Sequence, residues 1–226
     1  RSGLEHLSRA AEISQSNAEV QFLISRLYRR QGEFNLVHKH LEQAWNLGFP
    51  EKTIRREEWI AMAQAGQLRE AEPHLAELMI HPDEDGPEIC EAFINGFLLA
   101  YRFNDAARLL DVWQADYPDD PQAHYIRGML ATSSGDNKNA VASLRLALRL
   151  APHRKDIRQE LADLLVTLHE YGEAEQLFRK SLQSDSENSD LLIGLGTCLV
   201  ERGDLQAGRQ TFERVLRKSP NLHTAR

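Results

Sequence analysis

The sequence predicts an all-α fold built from repeated helix pairs. Two observations carry that prediction. Gly66 is followed five residues later by Ala71, Gly135 by Ala140 and Gly203 by Gly208. Four residues beyond each comes a large apolar side chain, Leu75, Leu144 or Phe212, and Pro152 and Pro220 close two of the three segments. The second observation is the step. In one register the repeats start at Ala18, Lys52, Pro87, Pro121, Lys155 and Ser189, at intervals of 34, 35, 34, 34 and 34 residues. Self-similarity at such a period marks a chain of stacked supersecondary units.

Each element has a physical reason. The first helix of a repeat occupies positions ~1–14 and the second ~17–30, as apolar periodicity requires. Position 8 is small where helices cross closely: Ser25, Gly128, Ala162 and Gly196. Position 20 is small for the same reason: Ala71, Ala106, Ala140, Ala174 and Gly208. Close crossing needs short side chains at the contact. Position 24 is large and apolar in every repeat (Leu41, Leu75, Leu110, Leu144, Phe178, Phe212) and fills the space the small residues leave. Gly32, Gly66, Gly135 and Gly203 end first helices in a left-handed turn. Pro118, Pro152 and Pro220 stop second helices.

The departures from this pattern cluster. Trp59 and Ile94 stand at position 8, Val37 at position 20, and Tyr101 and His169 at the turn glycine. The one long step adds a residue to the stretch 81–87. Pro73 sits inside a second helix, where it removes a hydrogen bond and bends the axis. A local change of curvature is therefore expected in the second and third repeats, and an internal domain boundary is the rival expectation.

On these residues the chain resembles the tetratricopeptide repeat family, over almost its whole length. The resemblance implies a right-handed α-solenoid, a superhelix with first helices on the concave side. Residues 1–226 are expected to form a single array. Residues 1–17 fit the second helix of a preceding repeat, and residues 223–226 begin another. With no initiator Met, the chain is expected to be a segment of a longer protein.

Composition narrows the function classes. The 226 residues hold 27 Lys and Arg against 34 Asp and Glu, a formal charge of −7. Nucleic-acid binding needs clustered positive charge, so none is expected. No apolar run approaches the ~20 residues of a membrane span, so membrane insertion is not expected. A soluble, cytoplasmic protein is the default expectation, without a sequence signal for any compartment. Cys90 and Cys198 are read as small packed residues. His38 and His40 lie two apart and point to different helix faces, and the other histidines are scattered, so no metal site is expected. Glu57-Glu58, Asp119-Asp120 and Glu173/Glu175 read as solvated faces and helix-start charges. No phosphate loop or nucleophile motif occurs, so neither catalysis nor a cofactor is expected.

The resemblance also implies a ligand groove, lined by positions 2, 5, 9, 12 and 13 of the first helices. Candidate groove residues are Phe22, Arg26, Arg29, Arg30, Arg56, Asn95, Tyr125, Met129, Gln159 and Asp163. The arginines make one end basic. Asp156, Asp163, Asp190 and Glu201 make the other acidic, with Tyr125 and Met129 as an apolar anchor between them. An extended or helical partner segment is expected there, its acidic part facing the arginines. Phe22 and Tyr125 packing between repeats is the plainer alternative. The carboxylate clamp of chaperone-binding relatives is not matched, since Glu91 precedes Asn95 where a cation is needed.

Blocks of opposite charge, net −5 over residues 87–120 and net +4 over 121–154, favour neighbour stacking or self-association. The leading expectation is a non-catalytic scaffold for protein partners. A substrate-recognition or regulatory segment of a larger enzyme is the second, and a structural self-assembly module the third.

Overall fold

The computed structural model describes residues 17–80 and 85–218. The expected leading helix over residues 1–16 and the further repeat at residues 223–226 lie outside the described residues. No strand occurs among the described residues, and the chain is an α-solenoid protein of paired helices. It divides into two compact units, Arg1–Pro118 and Asp119–Arg226.

In the first unit, α1 (Ala18–Gln31) pairs with α2 (Phe34–Asn46). Next, α3 (Glu51–Gln64) is followed by α4 (Leu68–Ala71), a 3-10 turn (Glu72–His74) and α5 (Leu75–Ile80). The unit ends with α6 (Gly86–Leu99) and α7 (Phe103–Asp116). The second unit holds α8 (Pro121–Ser133), α9 (Asn137–Leu150), α10 (Lys155–Thr167), α11 (Tyr171–Leu182), α12 (Ser189–Glu201) and α13 (Leu205–Lys218). Turns of a few residues fold each pair back on itself.

Helix ends follow the local chemistry. Asn17 and Asn188 cap α1 and α12, their side-chain oxygens accepting from Glu19 and Val20, and from Asp190 and Leu191. Asp120 caps α8 by accepting from the Gln122 N–H at 2.8 Å, which gives the Asp119-Asp120 pair its helix-start role. The turn glycines Gly32, Gly66, Gly135 and Gly203 are all left-handed. Tyr101 and His169, which replace that glycine, are forced into the same conformation at φ 58° and 61°. The turn geometry wins over the steric preference of the side chain.

Packing follows the small-against-large rule. A Cβ added to Gly128 would lie 2.7 Å from Leu144 Cγ, and one added to Gly196 would lie 2.7 Å from a ring carbon of Phe212. Leu41, Leu110, Leu144 and Phe178 are fully buried, as are Ala71, Ala106, Ala140 and Ala174. Phe178 also reaches into the next repeat, where a Cβ on Gly194 would meet its ring at 2.3 Å. In the first unit Phe22, Val37, Leu41, Ala44, Ile54 and Ala61 form one core cluster. In the second, Leu144, Leu161, Leu165, Phe178 and Leu199 belong to another.

The second repeat departs as its sequence does. Trp59 occupies the small position, and Pro73 turns the middle of the second helix into a 3-10 segment. His74 then stacks flat on Trp59, centroids 3.7 Å apart and planes 5° from parallel. Leu75, which the repeat pattern would bury, stays half exposed.

Three outcomes follow for thermal unfolding. Tyr101→Gly and His169→Gly each relieve a left-handed side chain and should stabilise by about 1 kcal/mol, a rise of ~2–4 °C in Tm. Gly128→Ala should destabilise by ~1–3 kcal/mol through overpacking against Leu144. Gly172→Ala, where a Cβ meets nothing within 4 Å, should instead gain up to ~1 kcal/mol.

Candidate protein-interaction surface

The first helices α1, α3 and α6 of the first unit bring together the arginines that the sequence offered as a basic groove end. Three carboxylates meet them. Arg29, nearly buried, donates from Nε to Glu57 at 2.5 Å and from a terminal nitrogen to Glu88 at 2.5 Å. Arg26 donates to Asp85 at 2.7 Å and to Glu88 at 3.0 Å, and Arg30 also pairs with Glu88. Gln64 accepts from Arg29 at 3.3 Å and donates to its carbonyl at 3.2 Å. Three cations thus meet three anions drawn from the second and third repeats. The expected facing of these arginines toward an acidic partner stretch does not hold in simple form, because the chain's own carboxylates already occupy them.

Glu57, expected on a solvated face, has a side chain only 3% exposed and lies inside this cluster. Burial pushes its carboxyl up, while Arg29 and Arg26 oppose the shift. At Glu88 burial also works against the charge. Hydrogen bonds from Arg30, Arg26 and Arg29 outweigh it and hold the carboxyl at about 2. The same holds for Glu175 in the second unit, also expected on a solvated face. It is buried and bridges Arg179 on its own helix and Arg202 after α12.

The remaining candidates are dispersed. Phe22 is a core residue, 8% exposed and stacked on Phe49 at 4.6 Å between ring centroids. Arg56 and Asn95 are half-buried on α3 and α6. Tyr125 is half-buried under the Arg154 guanidinium, 5.4 Å above its ring, and Arg154 is itself held by Asp156 and Gln122. Met129 on α8 is exposed, and so are Gln159 and Asp163 on α10.

Asp163 behaves unlike the arginines. Partial burial and the nearby charges of Glu160 and Asp190 push its carboxyl up, and only a hydrogen bond from Gln159 pulls the other way. No cation pairs with Asp163, Glu160 or Asp190 among the described residues. Helices α10 and α12 touch directly, so their first-helix faces form one surface. Ile193 on α12, 39% exposed, adds an apolar element to it.

Among the described residues no three His, Cys, Asp or Glu side chains converge as a metal site would require. His40 is engaged in the fold, 2.7 Å from Gln21 and stacked on Tyr28. Both cysteines are buried. Burial and the Glu175 carboxylate push the Cys198 thiol up to about 11, so it is not a thiolate nucleophile at neutral pH. No described helix is long and apolar enough to cross a membrane.

The arginine cluster makes two predictions for denaturant unfolding. Arg29→Ala leaves Glu57 buried without its closest cation and should cost about 3–5 kcal/mol. Glu88 has its carboxyl lowered by folding, so it stabilises the fold above its ordinary range near 4.5. That stability is lost as pH falls through about 2. Glu88→Gln should therefore be less stable than the parent at pH 7 by ~2–3 kcal/mol. The gap should narrow below pH ~4.5 and close near pH ~2.

Two tetratricopeptide repeat family models match the chain, over residues 100–154 and 165–226, together about half of it. Over 126 residues the chain is 25% identical to the protein CTR9 homolog of Arabidopsis thaliana, covering 55% of this chain and 11% of that protein. Over 94 residues it is 29% identical to the general transcriptional corepressor trfA of Dictyostelium discoideum, covering 42% of this chain and 7% of that one. The chain thus matches about a tenth of the length of these relatives. Among solved structures, MamA of AMB-1 superposes with a TM-score of 0.62 at 18% identity, over 74% of this chain and 90% of that one. YrrB, described as a TPR protein with an unusual peptide-binding site, superposes at 0.54 and 12% identity, over 95% and 93%. These structural likenesses speak to the fold. With the repeat anchors, the helix pairs and the two family matches in agreement, the chain belongs to the tetratricopeptide repeat family of helical protein-interaction scaffolds.

Proposed function

We propose that this chain is a non-catalytic scaffold that holds a segment of a partner protein along its first helices. In this reading recognition lies on the unit Asp119–Arg226 and the segment is basic and apolar. The observation that carries it is the grouping of Asp163 with Glu160 and Asp190 on two touching helices with no cation paired to them among the described residues; burial first, and then those two charges, raise the Asp163 carboxyl. A partner Lys or Arg supplies that cation. Met129 and Ile193, both exposed on the same unit, offer aliphatic contact. The basic end in Arg1–Pro118 is neutralised internally and contributes rigidity instead. YrrB gives the precedent of peptide binding on this fold.

The test is selection of random linear peptides on the immobilised full chain, followed by affinity measurement. The expected binders carry Lys or Arg beside an aliphatic residue. Affinity should fall tenfold or more for Asp163→Asn/Asp190→Asn at unchanged helicity, and should weaken with added salt. Binders unaffected by that double substitution, or a failure to enrich any, would overturn the proposal.

A further inference from the structure

We infer that the first unit carries a second recognition site, a cleft that takes an arginine side chain of a protein partner. The cleft measures about 360 Å³ and lies among the end of α2, the outer face of α3 and the broken second helix of the second repeat. Trp45 and Trp59 line it with His74, Glu51, Arg55 and Glu58. It is independent of the acidic surface on α10 and α12.

Its origin lies in the sequence. A second helix that ran unbroken would lay a regular face along α3. Pro73 replaces that stretch with a 3-10 turn, and His74 covers one face of Trp59 at 3.7 Å. Trp45 at the end of α2 is 58% exposed, and among the described residues its ring stacks on no other ring. A large indole left this open beside a cleft has an unused π face.

The charges select the occupant. Glu51 is already matched, since Arg55 donates to it at 2.5 Å. Arg55 does not lie over either indole. Glu58 pairs with no cation among the described residues. The lining therefore combines two indoles with one unmatched carboxylate. A flat cation meets both demands: its face lies on an indole, attracted by the ring quadrupole, and its edge donates to the carboxylate. Guanidinium is planar and weakly hydrated, and it donates in a fork that matches a carboxylate, so arginine fits better than the compact ammonium of lysine.

The chain contains three tryptophans, and the third is an internal reference. Trp113 is 1% exposed in the core around α7. The experiment titrates the full 15N-labelled chain with N-acetyl-arginine methylamide and, separately, with the neutral isostere N-acetyl-citrulline methylamide, following the indole N–H signals. Two signals, assigned to Trp45 and Trp59 by single Trp→Phe substitutions, should shift with arginine while Trp113 stays fixed. Apparent affinity for arginine should exceed that for citrulline at least tenfold. Glu58→Gln should reduce it about fivefold, and Trp45→Ala should abolish the shift at Trp59 without changing helicity. Equal shifts with citrulline, movement of the Trp113 signal alone, or no response at any indole would overturn the inference. So would arginine binding that survives both Glu58→Gln and Trp45→Ala.

Discussion

The contact between a residue without a side chain and one with a large apolar side chain sets the geometry of the regular repeats. Gly128 against Leu144 and Gly196 against Phe212 let the two helices of a pair approach until the large side chain fills the gap. Burial of that side chain is worth about 1.5–3 kcal/mol, and the close approach fixes how the pair presents its outer faces. Phe178 extends the rule across a repeat boundary by packing on Gly194. A pair held this way buries its apolar side only by stacking on a neighbour, so the first-helix faces become adjacent without any interaction of their own.

The second repeat shows what replaces that contact when it is lost. Trp59 is too large for a close crossing, and the chain answers with Pro73, a 3-10 turn and the His74 stack. Apolar packing there is looser, as the half-exposed Leu75 records. Stiffness comes instead from the arginine cluster. Arg26, Arg29 and Arg30 project from the first repeat onto Glu57 of the second and Asp85 and Glu88 near the third. One polar cluster thus spans three consecutive repeats where the apolar ladder is weakest.

Charge also divides surface available to a partner from surface consumed by the fold. Both ends of the first-helix face look equally charged in one dimension. In three, the arginines are neutralised by side chains more than 25 residues away, while no cation pairs with Asp163 or Asp190 among the described residues. The same distinction moves Glu57 and Glu175 from solvated to buried and paired. A helical pattern reports which face a residue lies on; it does not report which distant residue shares that face.

The sequence by itself determined the repeat register, the small and large packing positions, the left-handed turns at Gly32, Gly66, Gly135 and Gly203, and the break at Pro73. All of these are local or follow one fixed period, because helix geometry maps sequence spacing directly onto direction. Only the tertiary structure decided that Phe22 belongs to the core, that the basic groove end closes on Glu57, Asp85 and Glu88, and that Trp45 is left beside an open cleft. Those outcomes depend on contacts across tens of residues, where stacking brings together groups that no spacing rule relates. Charge and aromatic faces are sensitive to such neighbours at a few ångströms, so their roles are settled only when the helices pack.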